Sequence, residues 1–144
     1  MSNRQKAFGD QQATLYNNAA ITTALTGVAG TPLIGMVGMK ALTVQAAFTT
    51  ISGGTSADVY IQTSLDLGAT WIDIMNFHFL TTTATKVSAV INTTALAAGV
   101  TPGSGALSAN TILSGLLGDR VRALVTTVGT YVGTMLKVDA VAHG

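Results

Sequence analysis

Residues 58–79 read Asp58-Val-Tyr-Ile-Gln-Thr-Ser-Leu-Asp-Leu-Gly-Ala-Thr-Trp-Ile-Asp-Ile-Met-Asn-Phe-His-Phe79, two alternating runs on either side of a tight turn. Side chains of an extended strand point alternately to opposite faces, so the odd-numbered residues from Val59 to Leu65 share one side. The run after the turn is rich in branched and aromatic residues, which suit a pleated surface. The stretch therefore predicts a β-hairpin within an all-β fold, with Asp73, Met75 and Phe77 on one face of its second strand.

The turn of this hairpin carries the pattern Ser-x-Asp-x-Gly-x-Thr-Trp, known as the Asp-box, which occurs in sialidase propellers and in many unrelated β-proteins. Its fixed positions are Ser64, Asp66, Gly68, Thr70 and Trp71. Asp66 can accept bonds from backbone N–H groups, Gly68 can adopt a positive φ, and Trp71 can cover the turn. A propeller would repeat the pattern blade by blade, and this chain has one copy. We therefore interpret these residues as a structural staple.

A wider resemblance covers about residues 40–143. Its segments are Lys40-Ala-Leu-Thr-Val-Gln-Ala-Ala-Phe-Thr, Ser52-Gly-Gly-Thr-Ser-Ala-Asp-Val-Tyr-Ile-Gln-Thr-Ser, the Asp-box, Leu117-Gly-Asp-Arg-Val-Arg and Gly129-Thr-Tyr-Val-Gly-Thr-Met-Leu-Lys-Val-Asp-Ala-Val. This order resembles small β-sandwich virion proteins of tailed bacteriophages, including decoration or cement proteins of the head and head–tail or tail components. The Asp-box of this family often has Gly at the position of Leu67, so the turn of this chain is more apolar and we expect a neighbouring protein to cover it.

The chain is poor in charge. Its 144 residues include 7 Lys or Arg and 6 Asp, with no Glu, and the charged share of 9% compares with about 25% in an ordinary soluble domain. A folded monomer of this size exposes on the order of 7,000 Å². Free monomers usually carry many interspersed charges. We therefore expect a homo-oligomer or another assembly in which neighbouring protein hides much of the surface. Burying a threonine hydroxyl in a subunit contact costs less free energy than burying a charged side chain.

Two other kinds of partner are not expected. The interval from Ala19 to Met39 is apolar and nearly long enough to span a membrane, but its glycines and Pro32 disfavour a continuous helix. The N-terminus has no apolar core of a secretory signal. The net charge is +1, and Arg120 and Arg122 are a single pair of nearby arginines. This is too little positive charge for a surface that binds nucleic acid.

The pattern along the chain predicts a single antiparallel β-sandwich of the jelly-roll or immunoglobulin-like kind. We assign residues 1–39 to an extended N-terminal arm, with an irregular lead-in over 1–18 and a short strand at Leu33–Val37, and residues 40–144 to the sandwich domain. Strands are predicted over 41–48 and 86–92. A second hairpin is predicted from 120–127 and 134–143, with Leu136, Val138, Ala140 and Ala142 on its buried face. The loop 95–110 is expected to contact another subunit.

No catalytic, cofactor-binding or metal-ligating residues are predicted. His78 and His143 have no neighbouring carboxylate or nucleophile at a spacing that suggests catalysis. The acidic residues are Asp10, Asp58, Asp66, Asp73, Asp119 and Asp139. Asp58 together with Asp66 or Asp73 is the one combination that suggests a calcium site. The favoured interpretation is that these carboxylates are solvated at strand edges or accept hydrogen bonds in turns. We therefore expect a protein without enzymatic activity.

The sequence and the resemblance together predict a decoration or cement protein that stabilises the phage head shell by contacting the major capsid protein or other virion subunits. It would be made in the host cytoplasm, in keeping with the absence of cysteine. The predicted interface residues are Tyr16, Leu33, Ile34, Met36, Met39, Arg120 and Arg122. One alternative is a head–tail connector, tail or baseplate subunit. Another is a carbohydrate-binding module in which Trp71, Tyr60 or Tyr131 stacks on sugar rings.

Overall fold

The computed structural model describes residues 10–18, 20–93, 95–96 and 98–144, and these residues form strands and no helix. The strands in chain order are β1 (Gln11–Asn18), β2 (Val28–Ala29), β3 (Ala41–Thr49), β4 (Ser52–Gly53), β5 (Ser56–Ser64), β6 (Ile72–Phe79), β7 (Ala84–Ile91), β8 (Arg120–Val128), β9 (Tyr131–Val132) and β10 (Met135–His143).

Two four-stranded antiparallel sheets pack face to face. The first sheet has the order β1-β10-β3-β7, the second has the order β2-β8-β5-β6, and β4 and β9 form a small two-stranded sheet at one end. The inward side chains of both sheets form one apolar core, in which Phe48 stacks on Phe79 with ring centroids 5.0 Å apart and meets Tyr131 edge-on at 5.4 Å. The predicted all-β antiparallel sandwich is confirmed.

The alternation in β3 and β10 is also confirmed. The even-numbered residues from Leu42 to Phe48 are buried, as are those from Leu136 to Ala142. The odd-numbered residues of both strands lie on the outer face of the first sheet. The hairpin of β5 and β6 forms as predicted, with Ala57 opposite Phe79 and Thr63 opposite Ile72.

The predicted second hairpin is wrong. Strand β8 pairs with β5 and β2, whereas β10 pairs with β1 and β3, so the two strands lie in different sheets. The connection between them crosses the end of the sandwich through β9. Tyr131 anchors this crossing, because its ring is buried and its hydroxyl donates to the Leu80 carbonyl at 2.7 Å.

The N-terminal region also differs from the prediction. Residues 11–18 are not an irregular lead-in, since they form β1 along β10 and place Leu15 and Tyr16 in the core. No strand forms at 33–37, where Leu33 makes only an isolated bridge with Val121, Gly35 has φ 72° and the backbone turns at residues 37–38. Residues 10–39 therefore supply strands to both sheets of the sandwich that was predicted for 40–144. Residues 1–9 lie outside the described residues.

Candidate functional site

The Asp-box turn joins β5 to β6, and hydrogen bonds from its own side chains stabilise its conformation. The Ser64 hydroxyl donates to Asp66 Oδ1 at 2.9 Å and accepts from the Gly68 N–H at 2.8 Å. Asp66 Oδ1 also accepts from the Thr70 N–H at 2.7 Å. Gly68 has φ 92°, a conformation that glycine adopts without steric cost. These bonds are the ones expected of a structural staple.

Leu67 sits at the tip of this turn with φ 59°, in the region that L-residues rarely adopt, which fits the frequent Gly at this position of the pattern. Its N–H donates to Asp119 Oδ2 at 2.9 Å, and Arg120 Nε donates to Asp119 Oδ1 at 2.7 Å. The Leu67 side chain is 73% exposed. The turn is thus fixed to the start of β8 while it presents an apolar side chain to solvent.

Asp66 in this turn and Asp119, which bonds to it, both have pKa values below the ordinary aspartate range. The Thr70 N–H is the main cause of the lowered pKa of Asp66, followed by the Thr70 and Ser64 hydroxyls. The Leu67 N–H is the main cause of the lowered pKa of Asp119, followed by Arg120. In both cases the donors favour the charged form of the carboxyl group.

We expect this turn to make the fold sensitive to acid. The pKa values of Asp66 and Asp119 are lower in the folded chain than in the unfolded chain. As the pH falls through about 3.9, the unfolded chain therefore binds more protons than the folded chain. The free energy of unfolding then decreases until the pH is below the folded pKa values of both groups. Urea titrations at a series of pH values should show a shallower acid loss for the Asp66→Asn/Asp119→Asn variant. Equal slopes for the variant and the natural chain would contradict the role of these two groups.

A buried polar cluster lies on the outer face of the second sheet. The register shift between Ile61 and Gln62 places an extra residue in β6, so Asp73 pairs with Gln62 while Met75 pairs with Ile61. Asp73 is 5% exposed and lies on the outer face, where its carboxylate accepts from Gln62 Nε2 at 2.8 Å. The sequence-based assignment of Asp73 to the same face as Met75 is therefore wrong, because a bulge inverts the alternation.

Asp73 holds the loop that follows β7. Its carboxylate oxygens accept from the N–H groups of Gly105, Ala106 and Leu107 at 2.9, 2.7 and 3.0 Å. The same loop bonds to the edge of β6, where the Leu113 N–H donates to the Ile74 carbonyl at 2.8 Å. The loop residues predicted to contact another subunit thus include a segment that covers a strand of their own chain.

Two further contacts complete this outer face. Gln62 Oε1 accepts from Arg122 Nε at 2.8 Å, and the Arg122 guanidinium lies 4.1 Å from the centre of the Trp71 ring. Burial lowers the pKa of Arg122. Trp71 is therefore engaged by a cation of its own chain.

Asp58 and His78 lie opposite each other on β5 and β6, with Asp58 Oδ1 and His78 Nδ1 2.7 Å apart. The sequence did not predict a carboxylate near His78, because cross-strand neighbours are not visible in sequence spacing. Burial is the main cause of the raised pKa of Tyr60 beside this pair, followed by the charges of Asp58 and Asp73. Within the described residues, no group of three His, Cys, Asp or Glu side chains is placed to hold a metal ion.

The predicted interface residues are mostly not at the surface. Tyr16, Leu33, Met36 and Met39 are buried in the core of their own chain. Arg120 and Arg122 are half-buried and occupied by Asp119, Gln62 and Trp71. Of the seven, Ile34 presents a largely exposed apolar side chain, with 57% of it accessible. The prediction of direct partner contacts is therefore wrong for the four core residues, whose apolar character reflects packing against the sheets.

Exposed apolar side chains concentrate instead at the two ends of the sandwich. The turn-end patch consists of Ile34, Val37, Leu65 and Leu67, with Val37 83% exposed, and borders a groove of about 350 Å³ next to Leu117 and Met39. The opposite-end patch consists of Ile51, Leu80, Val128, Val132 and Met135. Both patches lie on strand connections and strand ends, where an ordinary soluble domain has polar turn residues.

Comparison of the chain with protein-family models, curated proteins and solved structures finds no significant match. The described residues include no helix with the length and apolar character needed to cross a membrane.

Proposed function

We propose that this chain is a structural virion protein of a tailed bacteriophage, most specifically a decoration or cement subunit that stabilises the head shell through protein–protein contacts. The observation that carries the proposal is the combination of two exposed apolar patches with a surface of 7317 Å² that bears few charges. Patches of this kind mark sites of association with other proteins. The resemblance of residues 40–143 to small phage β-sandwich proteins supports the virion as the place of assembly.

The internal construction of the sandwich supports a role in contacts and not in chemistry. Asp73, Asp58 and His78, three groups that could react, are occupied in bonds that hold strands and loop together. Tyr60 and Tyr131 are buried, so neither ring offers an open platform for a sugar, and Arg122 lies over the Trp71 ring. A shell contact needs apolar area, and each 1,000 Å² contributes up to roughly 25 kcal/mol before ordering costs.

The test is binding of the purified chain to particles that were assembled without it. We expect the Val37→Lys/Leu65→Lys variant to bind at least about tenfold more weakly, because charges in the turn-end patch would be desolvated on contact. Gln12→Lys adds a charge at an exposed position of β1 and serves as the matched control with binding retained. Unchanged binding after charges are placed in each of the two patches would contradict the proposal.

The copy number on the particle distinguishes the shell from the other virion positions. Hundreds of copies indicate the head shell, whereas about six or twelve indicate a ring on the tail axis. A ring-like copy number would favour the alternative of a head–tail connector, tail or baseplate subunit, which the same surface composition suits. Quantitative mass spectrometry of intact particles gives this number directly.

A further inference from the structure

Strand β7 is one of the two edges of the first sheet, and the bonds at its C-terminal end show which backbone groups face outward. The Ile91 N–H donates to Ser114 Oγ at 3.1 Å, and the Ile91 carbonyl accepts from the Gly115 N–H at 2.8 Å. Because these directions alternate along a strand, the N–H and C=O groups of Thr85, Val87 and Ala89 also point away from β3. Within the described part of the chain, these six groups have no hydrogen-bond partner.

The exposed face of this edge carries no charge. The side chains of Thr85, Val87 and Ala89 are all exposed, with Val87 61% accessible, and the strand has neither a proline nor a bulge. Such devices are the usual protection of an edge strand against pairing with another chain. The one charged residue, Lys86, points the other way, since its ammonium donates to the His78 carbonyl and to Asn110 Oδ1.

We infer that β7 pairs antiparallel with β7 of a second copy about a two-fold axis at Val87. In this register Val87 lies opposite Val87 of the second copy, and Thr85 lies opposite Ala89 in both directions. All six outward groups of each chain are then bonded, and the two first sheets merge into one eight-stranded sheet. A strand that is paired with its own copy gives the self-complementary contact of a two-fold dimer.

The charge of Lys86 and the bonds of Ile91 select this register over its neighbours. An axis at Lys86 would bring two ammonium groups together and would extend the pairing beyond the start of β7, whereas an axis at Val87 places Lys86 opposite the neutral Ser88. An axis at Ser88 would require Thr85 to bond Ile91, whose groups are already taken by Ser114 and Gly115. The alternatives thus form four hydrogen bonds in place of six.

The contact is short, so we expect a weak dimer in solution and a stronger association where copies are held close together on a particle. The inference goes beyond the proposed function, because it names a contact between two copies of this chain and not a contact with the shell. It is tested with the purified chain alone, so its failure would leave shell binding undisturbed.

The first test uses the absence of cysteine from the chain. Residues opposite each other in a bonded antiparallel pair have Cα atoms about 5.5 Å apart, within disulfide range, so Val87→Cys should form a covalent dimer under mild oxidation. Two Thr85→Cys side chains would lie more than about 13 Å apart, and we expect at least about tenfold slower crosslinking. Equal crosslinking at both positions, or none at Val87→Cys, would overturn the pairing.

The second test uses paired charges. Since Thr85 faces Ala89 of the other copy, Thr85→Lys/Ala89→Lys should abolish the dimer, whereas Thr85→Lys/Ala89→Glu should retain or strengthen it. Sedimentation velocity over a range of concentrations measures the association, and circular dichroism verifies the fold of both variants. The same degree of association in the two variants would refute the proposed register.

Discussion

Replacing Asp73 by alanine is expected to lower the free energy of unfolding by about 3–4 kcal/mol. The carboxylate is almost fully buried and accepts from Gln62 and from three consecutive backbone N–H groups, Gly105 to Leu107. Alanine would leave these donors without an acceptor under the loop, and each buried, unpaired polar group costs about 1–3 kcal/mol. Relaxation of the loop toward water should limit the total loss, which urea denaturation can measure.

The matched control is Asp139→Ala. Asp139 lies on the outer face of the first sheet, where its exposed carboxylate accepts from the Thr14 hydroxyl at 2.7 Å and is 3.8 Å from Lys137 Nζ. Exposed pairs of this kind contribute roughly 0–1 kcal/mol. If the two substitutions cost the same, the buried carboxylate would not be the anchor of the loop. Limited proteolysis of Asp73→Ala should also show earlier cleavage within residues 98–113.

Gly118→Ala is expected to destabilise the fold by about 3 kcal/mol or more. A Cβ at this position would lie 1.9 Å from the Ser64 carbonyl oxygen and 2.6 Å from its carbon, both backbone atoms that cannot rotate away. The chain before β8 would have to move off β5. That shift would break the bonds of the Gly118 N–H to Thr63 Oγ1 at 2.8 Å and of the Asp119 N–H to the Ser64 carbonyl at 2.7 Å.

Gly99→Ala provides the control, because a Cβ there would have nothing within 4 Å. We expect a change within about 0.5 kcal/mol of the natural chain. Thermal and urea denaturation of the two variants should therefore differ widely. A Gly118→Ala variant as stable as Gly99→Ala would mean that the close approach to Ser64 is not a requirement of the fold.

The sequence predicted those strands whose burial differs between the two faces. In β3 and β10 one face lies on the core and the other is open, and this produces the period of two that the sequence shows. The Asp-box turn was equally predictable, because its bonds join residues within seven positions of each other. Such local patterns can be predicted because the residues that interact are close together in the sequence.

The features that the sequence did not reveal depend on contacts between distant residues. Pairing of β1 with β10 is invisible in the polar sequence of residues 11–18, and neighbouring positions along the chain suggested that β8 and β10 pair. The bulge in β6 shifts Asp73 without any proline or glycine to mark it. Apolar residues such as Met36 looked like an interface because no strand period surrounds them, yet the segment packs on the core.

The position of β10 between β1 and β3 has a consequence for how the protein can be shortened. Loss of residues 135–143 would remove an interior strand, so that β1 would lose its partner and the threonine- and alanine-rich flank of β3 would become a new open border. We therefore expect C-terminal truncations to precipitate, whereas fusions that leave β10 intact should be tolerated. Gln11 pairs with Ala142, so tags placed before β1 or after β10 would emerge from the same corner of the molecule.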